Sequence, residues 1–298
     1  MNNSHKFRIF ARTIRWLPAI RRARQGTGFT SADVIETSAR RFGDRVFVEF
    51  EGRTTSYAEF NREANRVAHW ALERGLGKGD VVALMMENRP EYLSIWAGLA
   101  KAGVTTALIN THLSGHPLEH VIESAACRAL VLGDECLPAY RELAAAHLEA
   151  LPLFVSRRDR SVAQADPADG GLSSLDAELR RFPTVNPPAS VRDGLRSEDP
   201  LFYIYTSGTT GLPKAARFSH SRFVSGGMYH LLSGFGARDA LYCALPLYHT
   251  VGGVICVNAV LLTGARLVLR RSFSASHFWQ DIVESGATTF QYIGEMCR

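Results

Sequence analysis

The sequence predicts an α/β fold in which mostly parallel sheets are flanked by helices. Short apolar segments typical of buried strands alternate along the chain with longer segments of helical periodicity. Glycines and prolines stand at many of the segment ends, where the chain must turn. Strands that alternate with helices favour parallel pairing, because each helix carries the chain back across the sheet.

Recognisable end signals support several of the predicted helices. Ser56 and Glu59 form the pattern of a capping box, which begins a helix that continues to Gly75. Pro90 lies in the first turn of a helix that ends before Gly103. The remaining predicted helices are Ser31–Phe42, Leu118–Ala126, Glu135–Ala150, Leu175–Arg181, His220–Ser233, Val251–Leu262 and Phe273–Ser285.

The predicted strands are Arg45–Phe50, Val81–Met86, Val104–Ile109, Ala129–Leu132, Leu151–Val155, Leu201–Tyr205, Ala215–Ser219, Leu241–Leu245, Arg266–Leu269 and Thr288–Tyr292. The alternation stops at 156–197, where prolines, glycines and scattered charges predict a surface connection. We therefore expect a basic amphipathic arm at 1–27, a first α/β subdomain at 28–155, a surface connection at 156–198 and a second α/β subdomain at 199–298.

The positive charge is concentrated in the N-terminal arm. The net charge is +5, but residues 1–25 hold seven basic residues and no acidic one, which leaves 27 basic against 29 acidic residues elsewhere. This distribution does not indicate a basic binding face on the folded body, and no nucleic-acid partner is expected. Within Lys6–Arg24 the apolar residues recur at helical spacing beside the arginines, which favours peripheral contact with an anionic membrane. The alternative is a frayed tail without a role.

The five cysteines show neither a CxxC pair nor a metal-ligand spacing. We interpret them as reduced core thiols of a cytoplasmic protein. The longest apolar stretch, Val251–Thr263, is too short to cross a bilayer, so no membrane span is predicted. We therefore expect the protein in the cytoplasm, where the arm would allow peripheral attachment to the cytoplasmic face of a membrane.

The segment Tyr205–Lys214 is the most informative part of the chain. It joins a predicted strand to a run of hydroxyl residues and glycines, followed by a lysine. Gly208 and Gly211 permit close approach of a ligand, and the hydroxyl groups and the Lys214 ammonium suit a polyphosphate. The hydroxyl residues are Thr206, Ser207, Thr209 and Thr210. The spacing is not that of a Walker A loop. The alternative is an ordinary polar turn, which needs only one or two such residues.

Tyr205–Lys214 resembles the phosphate-binding signature of the adenylate-forming superfamily, which includes acyl-CoA synthetases, aryl-CoA ligases, luciferases and adenylation domains. Leu245–Gly253 resembles the next motif of that superfamily, in which an aromatic residue and a histidine line the carboxylate side of the acyl pocket. Further segments are similar to the branch of fatty acid transport proteins and very-long-chain acyl-CoA synthetases. These are Tyr203–Tyr205, Leu212–Ala216, Phe290–Cys297, Thr54–Tyr57 and Asn88–Glu91.

The resemblance implies a fatty acid–CoA ligase that uses ATP, Mg²⁺ and coenzyme A. It implies that Tyr205–Gly211 and Lys214 hold the nucleotide phosphates, that Thr206 lies on the metal side, and that Lys214 and His249 are catalytic, with His249 orienting the carboxylate. Val251–Leu262 and Thr288–Tyr292 would wall an apolar tunnel. The alternatives are another acid–CoA ligase or adenylation domain, or a nonenzymatic protein that binds fatty acids or membranes.

Later motifs of the superfamily are not found in the sequence. They include the acidic residues for magnesium and ribose and the small C-terminal domain with its catalytic lysine. We therefore expect a large N-terminal domain that is truncated before its last subdomain, and a 298-residue chain that is inactive by itself.

Overall fold

The computed structural model describes residues 17–18, 21–22, 26–143, 150–158, 172–206 and 211–297. Its strands are β1 Val46–Phe50, β2 Arg53–Ser56, β3 Val81–Met85, β4 Thr105–Leu108, β5 Ala129–Gly133, β6 Leu153–Ser156, β7 Ser173–Ser174, β8 Pro200–Thr206, β9 Lys214–Ser219, β10 Ala240–Cys243, β11 Arg266–Leu269 and β12 Thr289–Phe290. These strands alternate with helices, as the sequence predicts.

The α-helices are α1 Ser31–Phe42, α2 Tyr57–Glu73, α3 Pro90–Lys101, α4 Gly115–Ala125, α5 Leu137–Arg141, α6 Leu175–Leu179, α7 His220–Gly226, α8 Met228–Leu232, α9 Val257–Thr263 and α10 Phe278–Ser285. A π-helix, Thr250–Cys256, leads directly into α9. The predicted capping box of α2 is present, because Ser56 Oγ accepts from the Glu59 amide and the Glu59 carboxylate accepts from the Ser56 amide.

The strands form two sheets. One has seven strands in the order β7-β6-β5-β3-β4-β8-β9, and the other has five in the order β12-β10-β11-β1-β2. Pairing is parallel except between β1 and β2 and between β8 and β9. The turn from β1 to β2 contains Glu51 and Gly52, both with positive φ, as a tight two-residue hairpin requires. The α/β class with mostly parallel sheets is therefore confirmed.

Helix α3 is enclosed by the rest of the molecule, since Tyr92–Lys101 are all buried. It packs closely on α2 at Gly98, where a Cβ atom would lie 2.4 Å from the Ala64 carbonyl oxygen. Strand β3 is buried on both faces. Val82 and Leu84 belong to one apolar cluster, whereas Ala83 and Met85 belong to another that includes α4. Covered faces explain why these strands are continuously apolar.

The sheets do not coincide with the predicted division of the chain. Strands β1 and β2 belong to the first predicted subdomain but pair in the sheet that contains β10, β11 and β12. Strands β8 and β9 belong to the second predicted subdomain but extend the sheet of β3–β7. The predicted surface connection also contributes edge strand β7 and helix α6, whose Leu175 and Leu179 enter the core.

Several predicted helices differ from the observed ones, and three of these differences are the largest outside the site. Glu135–Ala150 begins as a 3₁₀ turn at Asp134–Cys136, followed by the short α5, with 144–149 outside the described residues. Phe273–Ser285 starts only at Phe278. His220–Ser233 divides into α7 and α8 at Gly227, whose amide donates to Asn258 Oδ1 at 2.7 Å. A Cβ atom at Gly227 would approach the Ala259 nitrogen to 2.6 Å, so a tertiary contact decides this break.

Candidate active site

A cavity of about 410 Å³ lies where the carboxyl ends of strands from both sheets meet. Residues that follow β3 and β4 line one side, and residues that follow β10, β11 and β12 line the other. Its lining consists of Glu87, Asn88, Thr111, His112, Ala244, Leu245, Pro246, Tyr248, Arg271, Ser272, Phe273, Ile293 and Met296. Parallel sheets commonly bind ligands at this edge, beyond the carboxyl ends of their strands.

The predicted phosphate loop leaves the seven-stranded sheet at the same edge. Strand β8 runs parallel to β4, with Ile204 opposite Leu108, so both strands end on this side. Thr206 ends β8 and lies opposite Lys214, which begins the antiparallel β9. Both residues are exposed, and Gly211 has φ +94°. Ser207, Gly208, Thr209 and Thr210 lie outside the described residues.

Tyr205 contributes to the fold with its side chain. The ring is buried, and its hydroxyl donates to the Val121 carbonyl oxygen of α4 at 3.2 Å. Burial raises the pKa of this phenol to about 12. Its predicted nucleotide contact would therefore be made by the main chain, while the side chain anchors the start of the loop to α4.

Tyr248 and His249 lie after β10 at the rim of the cavity. Tyr248 is buried and lines the cavity together with Thr111. His249 is exposed and packs on the Tyr248 ring with centroids 4.6 Å apart. Partial burial lowers the pKa of His249 below its usual value, so the imidazole is neutral at pH 7. A neutral imidazole offers one donor and one acceptor to a ligand.

The π-helix fixes the segment that carries this pair. The His249 carbonyl accepts from the Gly253 amide at 2.8 Å. Gly252 and Gly253 pack directly on the preceding main chain, where a Cβ atom at Gly253 would lie 1.9 Å from the Leu247 carbonyl oxygen. Only glycine permits this contact. The predicted helix Val251–Leu262 is thus present, but its first half is wound as a π-helix, a form that recurs at functional sites.

Sequence reasoning missed two polar residues of the cavity. Asn88 had been noted only as part of a segment that resembles the superfamily, although it follows a buried strand and precedes Pro90. Arg271 forms ion pairs with Glu51 and with Glu87, at 2.8 and 3.0 Å. A polar residue directly after an apolar strand is the signal that identifies such positions.

The two segments that we expected to wall an apolar tunnel do not line one common cavity. Thr289–Tyr292 line a second cavity of about 490 Å³ together with Tyr229, His230 and Phe235. Helix α9 does not line either cavity, because Val257–Thr263 are all buried in the core. Val251–Leu262 therefore packs beneath the site in the core and does not form the wall of either cavity.

Further predictions concern metals, thiols and the membrane. Within the part of the chain that the structure describes, no cluster of His, Cys, Asp and Glu side chains has the geometry of a metal site. Cys127, Cys136, Cys243 and Cys256 are free thiols, as predicted. No described helix combines the length and apolar character that a bilayer span requires. The arm Lys6–Arg24 lies outside the described residues except for 17–18 and 21–22.

Two mostly parallel sheets, with a cavity beyond the carboxyl ends of their strands and a strand hairpin at the same edge, are typical of α/β proteins that bind ligands at this edge. Residues 35–298 match the family model described as AMP-binding enzyme, and the chain belongs to this family. The resemblance stated from Tyr205–Lys214 and Leu245–Gly253 is confirmed at this level.

Curated relatives match nearly the whole chain. Long-chain fatty acid transport protein 1 of Rattus norvegicus is 38% identical over 288 residues, which cover 94% of this chain and 43% of the relative. Medium/long-chain-fatty-acid–CoA ligase FadD6 of Mycobacterium tuberculosis is 36% identical over 284 residues, which cover 93% and 44%. The chain thus spans less than half the length of these relatives.

Solved structures show the same fold. A fatty acyl CoA synthetase of Mycobacterium tuberculosis superposes with a TM-score of 0.71 at 23% identity, over 90% of this chain and 50% of that one. The N-terminal domain of FACL13 from Mycobacterium tuberculosis gives 0.72 at 24% identity, over 90% and 63%. At these identities the likeness concerns the fold alone.

Proposed function

We propose that the protein is a long- or very-long-chain fatty acid–CoA ligase that uses ATP. One observation carries the proposal. Thr206 and Lys214 are exposed at the base of one hairpin at the carboxyl end of β8, and the Tyr248–His249 pair follows the carboxyl end of β10, where Tyr248 lines the cavity. A phosphate-holding loop and a carboxylate-orienting pair are the two parts that an acyl adenylation site needs. The names of the relatives, a fatty acid transport protein and a fatty acid–CoA ligase, agree with this substrate class.

The reaction proceeds in two steps. A carboxylate oxygen bonds to the α-phosphorus of ATP and the bond to pyrophosphate breaks, which gives an acyl adenylate. The thiol of coenzyme A then loses its proton and bonds to the acyl carbon, and AMP departs. Lys214 would neutralise phosphate charge in the first step, with Thr206, Ser207, Thr209 and Thr210 as hydroxyl donors. Gly208 and Gly211 would let the main chain of the loop approach the phosphates.

His249 would hold the carboxylate through a hydrogen bond. Its neutral imidazole donates one N–H, and it is exposed beside the buried Tyr248 ring. A neutral donor orients a carboxylate without neutralising it by an ion pair, so the oxygen keeps its nucleophilic character. The adjacent apolar surface of Pro246, Phe273 and Ile293 suits an alkyl chain.

The Mg²⁺ that accompanies ATP would need little from this part of the protein. Thr206 is exposed at the end of β8 and offers one hydroxyl oxygen. Magnesium commonly keeps several waters and binds mainly through substrate phosphates, so a single protein oxygen fits this role. When bound, the ion offsets phosphate charge, whereas Thr206 would fix the side of the loop on which it lies.

The experiment measures the products of the whole protein. We expect pyrophosphate release that requires both ATP and a long-chain fatty acid, and AMP release that is completed on addition of coenzyme A. Release of ADP and phosphate would contradict adenylation. An aromatic acid as the better substrate would favour the alternative of an aryl–CoA ligase. Fatty acid binding without any pyrophosphate release would favour a nonenzymatic binding protein.

The N-terminal arm would add peripheral contact with an anionic membrane. Its seven basic residues stand beside apolar residues at helical spacing, which suits the interface of a bilayer. Such contact would bring the protein to the surface where long-chain fatty acids concentrate. The cytoplasmic face of a membrane is the location that agrees with this proposal.

A further inference from the structure

Asn88 connects the two sheets at the edge that carries the candidate site. It follows β3 of the seven-stranded sheet, and only 4% of its surface is exposed. Its amide nitrogen donates to the carbonyl oxygens of Leu245 at 2.9 Å and Arg270 at 3.0 Å. Its amide oxygen accepts from the Leu247 amide at 2.8 Å. Leu245 and Leu247 follow β10, and Arg270 follows β11, so all three partners lie on segments that continue from strands of the other sheet.

These bonds use both N–H groups of the Asn88 side chain. An asparagine amide has two hydrogens, and here each is directed to a main-chain carbonyl. The side chain lines the cavity but has no donor left for a ligand. Its role is therefore to hold the main chain, and not to contact a substrate.

The main chain that Asn88 holds leads directly into the Tyr248–His249 pair. Leu247, whose amide donates to Asn88, immediately precedes Tyr248. Tyr248 lines the cavity together with Thr111, which follows β4 of the seven-stranded sheet. From the opposite side, the Leu247 carbonyl contacts the π-helix at Gly253. The segment is thus held by Asn88 and by the π-helix, and Asn88 supplies two of its main-chain contacts and a third to Arg270.

We propose that Asn88 is a positioning residue, which sets the orientation of Tyr248 and His249 toward the carboxylate of the substrate. The inference rests on the proposed function. Loss of the Asn88 amide would leave the Leu245 and Arg270 carbonyls and the Leu247 amide without these partners in a buried place. Such groups seek new partners, and the segment moves to provide them. The phosphate hairpin at Thr206–Lys214 shares none of these bonds, so nucleotide binding would be kept.

The test compares the binding of two ligands to the 298-residue chain. Dodecanoate below its micelle concentration and ATP with Mg²⁺ are titrated by calorimetry into wild type, Asn88→Ala and Asn88→Asp. The aspartate variant keeps the acceptor for Leu247 but loses both donors. We expect the Kd for dodecanoate to rise by about tenfold or more in both variants, whereas the Kd for ATP should not change.

Asn65→Ala is the matched control. Asn65 is also a buried asparagine with side-chain bonds, to Thr184 and Lys101, but it lies on α2 away from the cavity. It is expected to lower the urea midpoint of unfolding without changing either Kd. If Asn88→Ala weakens both ligands equally, or if Asn65→Ala weakens dodecanoate to the same extent, the positioning role is wrong.

Two outcomes separate this inference from the proposed function. If wild type binds ATP but not dodecanoate, the fatty acid assignment fails. If wild type binds both ligands and the Asn88 variants match it, only the positioning role fails. Amide exchange in the wild type needs no variant, and saturating dodecanoate is expected to slow exchange at Leu247. Unchanged exchange at Leu247 would also contradict the inference.

Discussion

Thr206 and Lys214 lie opposite each other across the antiparallel strands β8 and β9. This pairing places a hydroxyl and an ammonium at the base of one hairpin, at the carboxyl end of β8. Because the register of paired strands is fixed, the connection between Thr206 and Lys214 is held at both of its ends. The site therefore combines a rigid base with a glycine-containing loop.

Lys214→Ala should weaken the binding of ATP with Mg²⁺ by about tenfold, which is the usual scale for one charge-assisted contact. Lys214 is exposed and forms no ion pair with the described part of the chain, so its removal leaves no buried charge behind. Calorimetry at fixed ionic strength measures the effect. Arg217→Ala removes another exposed cation of β9, three residues farther from the loop, and serves as the control. Equal losses in both variants would point to nonspecific electrostatics.

His249→Ala should weaken dodecanoate binding by about tenfold while the Kd for ATP stays the same. The physical reason is the loss of the N–H donor beside Tyr248. His277→Ala is a suitable control, since His277 is exposed in the loop before α10 and lies outside the cavity. Dodecanoate binding that is insensitive to His249→Ala would remove this residue from the carboxylate site.

Gly253→Ala should destabilise the protein by about 1–3 kcal/mol, the usual range for overpacking. The added methyl group would lie 1.9 Å from the Leu247 carbonyl oxygen, so the π-helix must move away from the segment below it. Urea unfolding measures the free energy. Gly294→Ala is the control, because a Cβ atom there meets nothing within 4 Å. Similar stability of both variants would show that the π-helix is not held by this contact.

His220 should make stability depend on pH. Burial lowers the pKa of its ring to about 4, and Nδ1 lies 2.9 Å from Ser31 Oγ. Since the unfolded pKa is about 6.5, the unfolded chain binds a proton first as the pH falls. The contribution of His220 is therefore complete above about pH 6.5 and is lost progressively down to about pH 4.

His220→Asn keeps an acceptor near Ser31 but cannot titrate. Urea unfolding at pH 7.5 and pH 5 should show a smaller loss of stability for the variant than for wild type. Because both proteins share every other titrating group, the difference between their losses of stability reports on His220 alone. Equal losses would mean that the pKa of His220 is the same in the folded and the unfolded protein.

Deletion of residues 1–25 should reduce cosedimentation with vesicles that contain anionic lipid, most clearly at low salt. The seven basic residues of this segment provide the attraction, and its apolar residues provide insertion. Vesicles of neutral lipid are the control, and the difference between the two proteins should be small there. If the deleted and intact chains bind anionic vesicles equally, the arm has no such role.

The sequence by itself determined the alternation of strands and helices and the position of the two motifs. These features are local, since helix α1 is set by its periodicity and α2 by the Ser56–Glu59 capping box. The Tyr205–Lys214 motif was also recognisable, because its composition exceeds what a simple turn requires, and its phosphate-binding role stays a prediction.

Only the tertiary structure decided which strands share a sheet and which residues line the cavity. Strand β1 pairs with β11, more than two hundred residues later, and no local pattern encodes that choice. The break of His220–Ser233 at Gly227 and the π-helix at Gly253 follow from contacts with Asn258 and Leu247, which are made only on packing. Asn88 became significant for the same reason, since its three partners lie on segments that follow strands of the other sheet. Local sequence sets local conformation, whereas contacts between distant segments depend on the packing of the whole core.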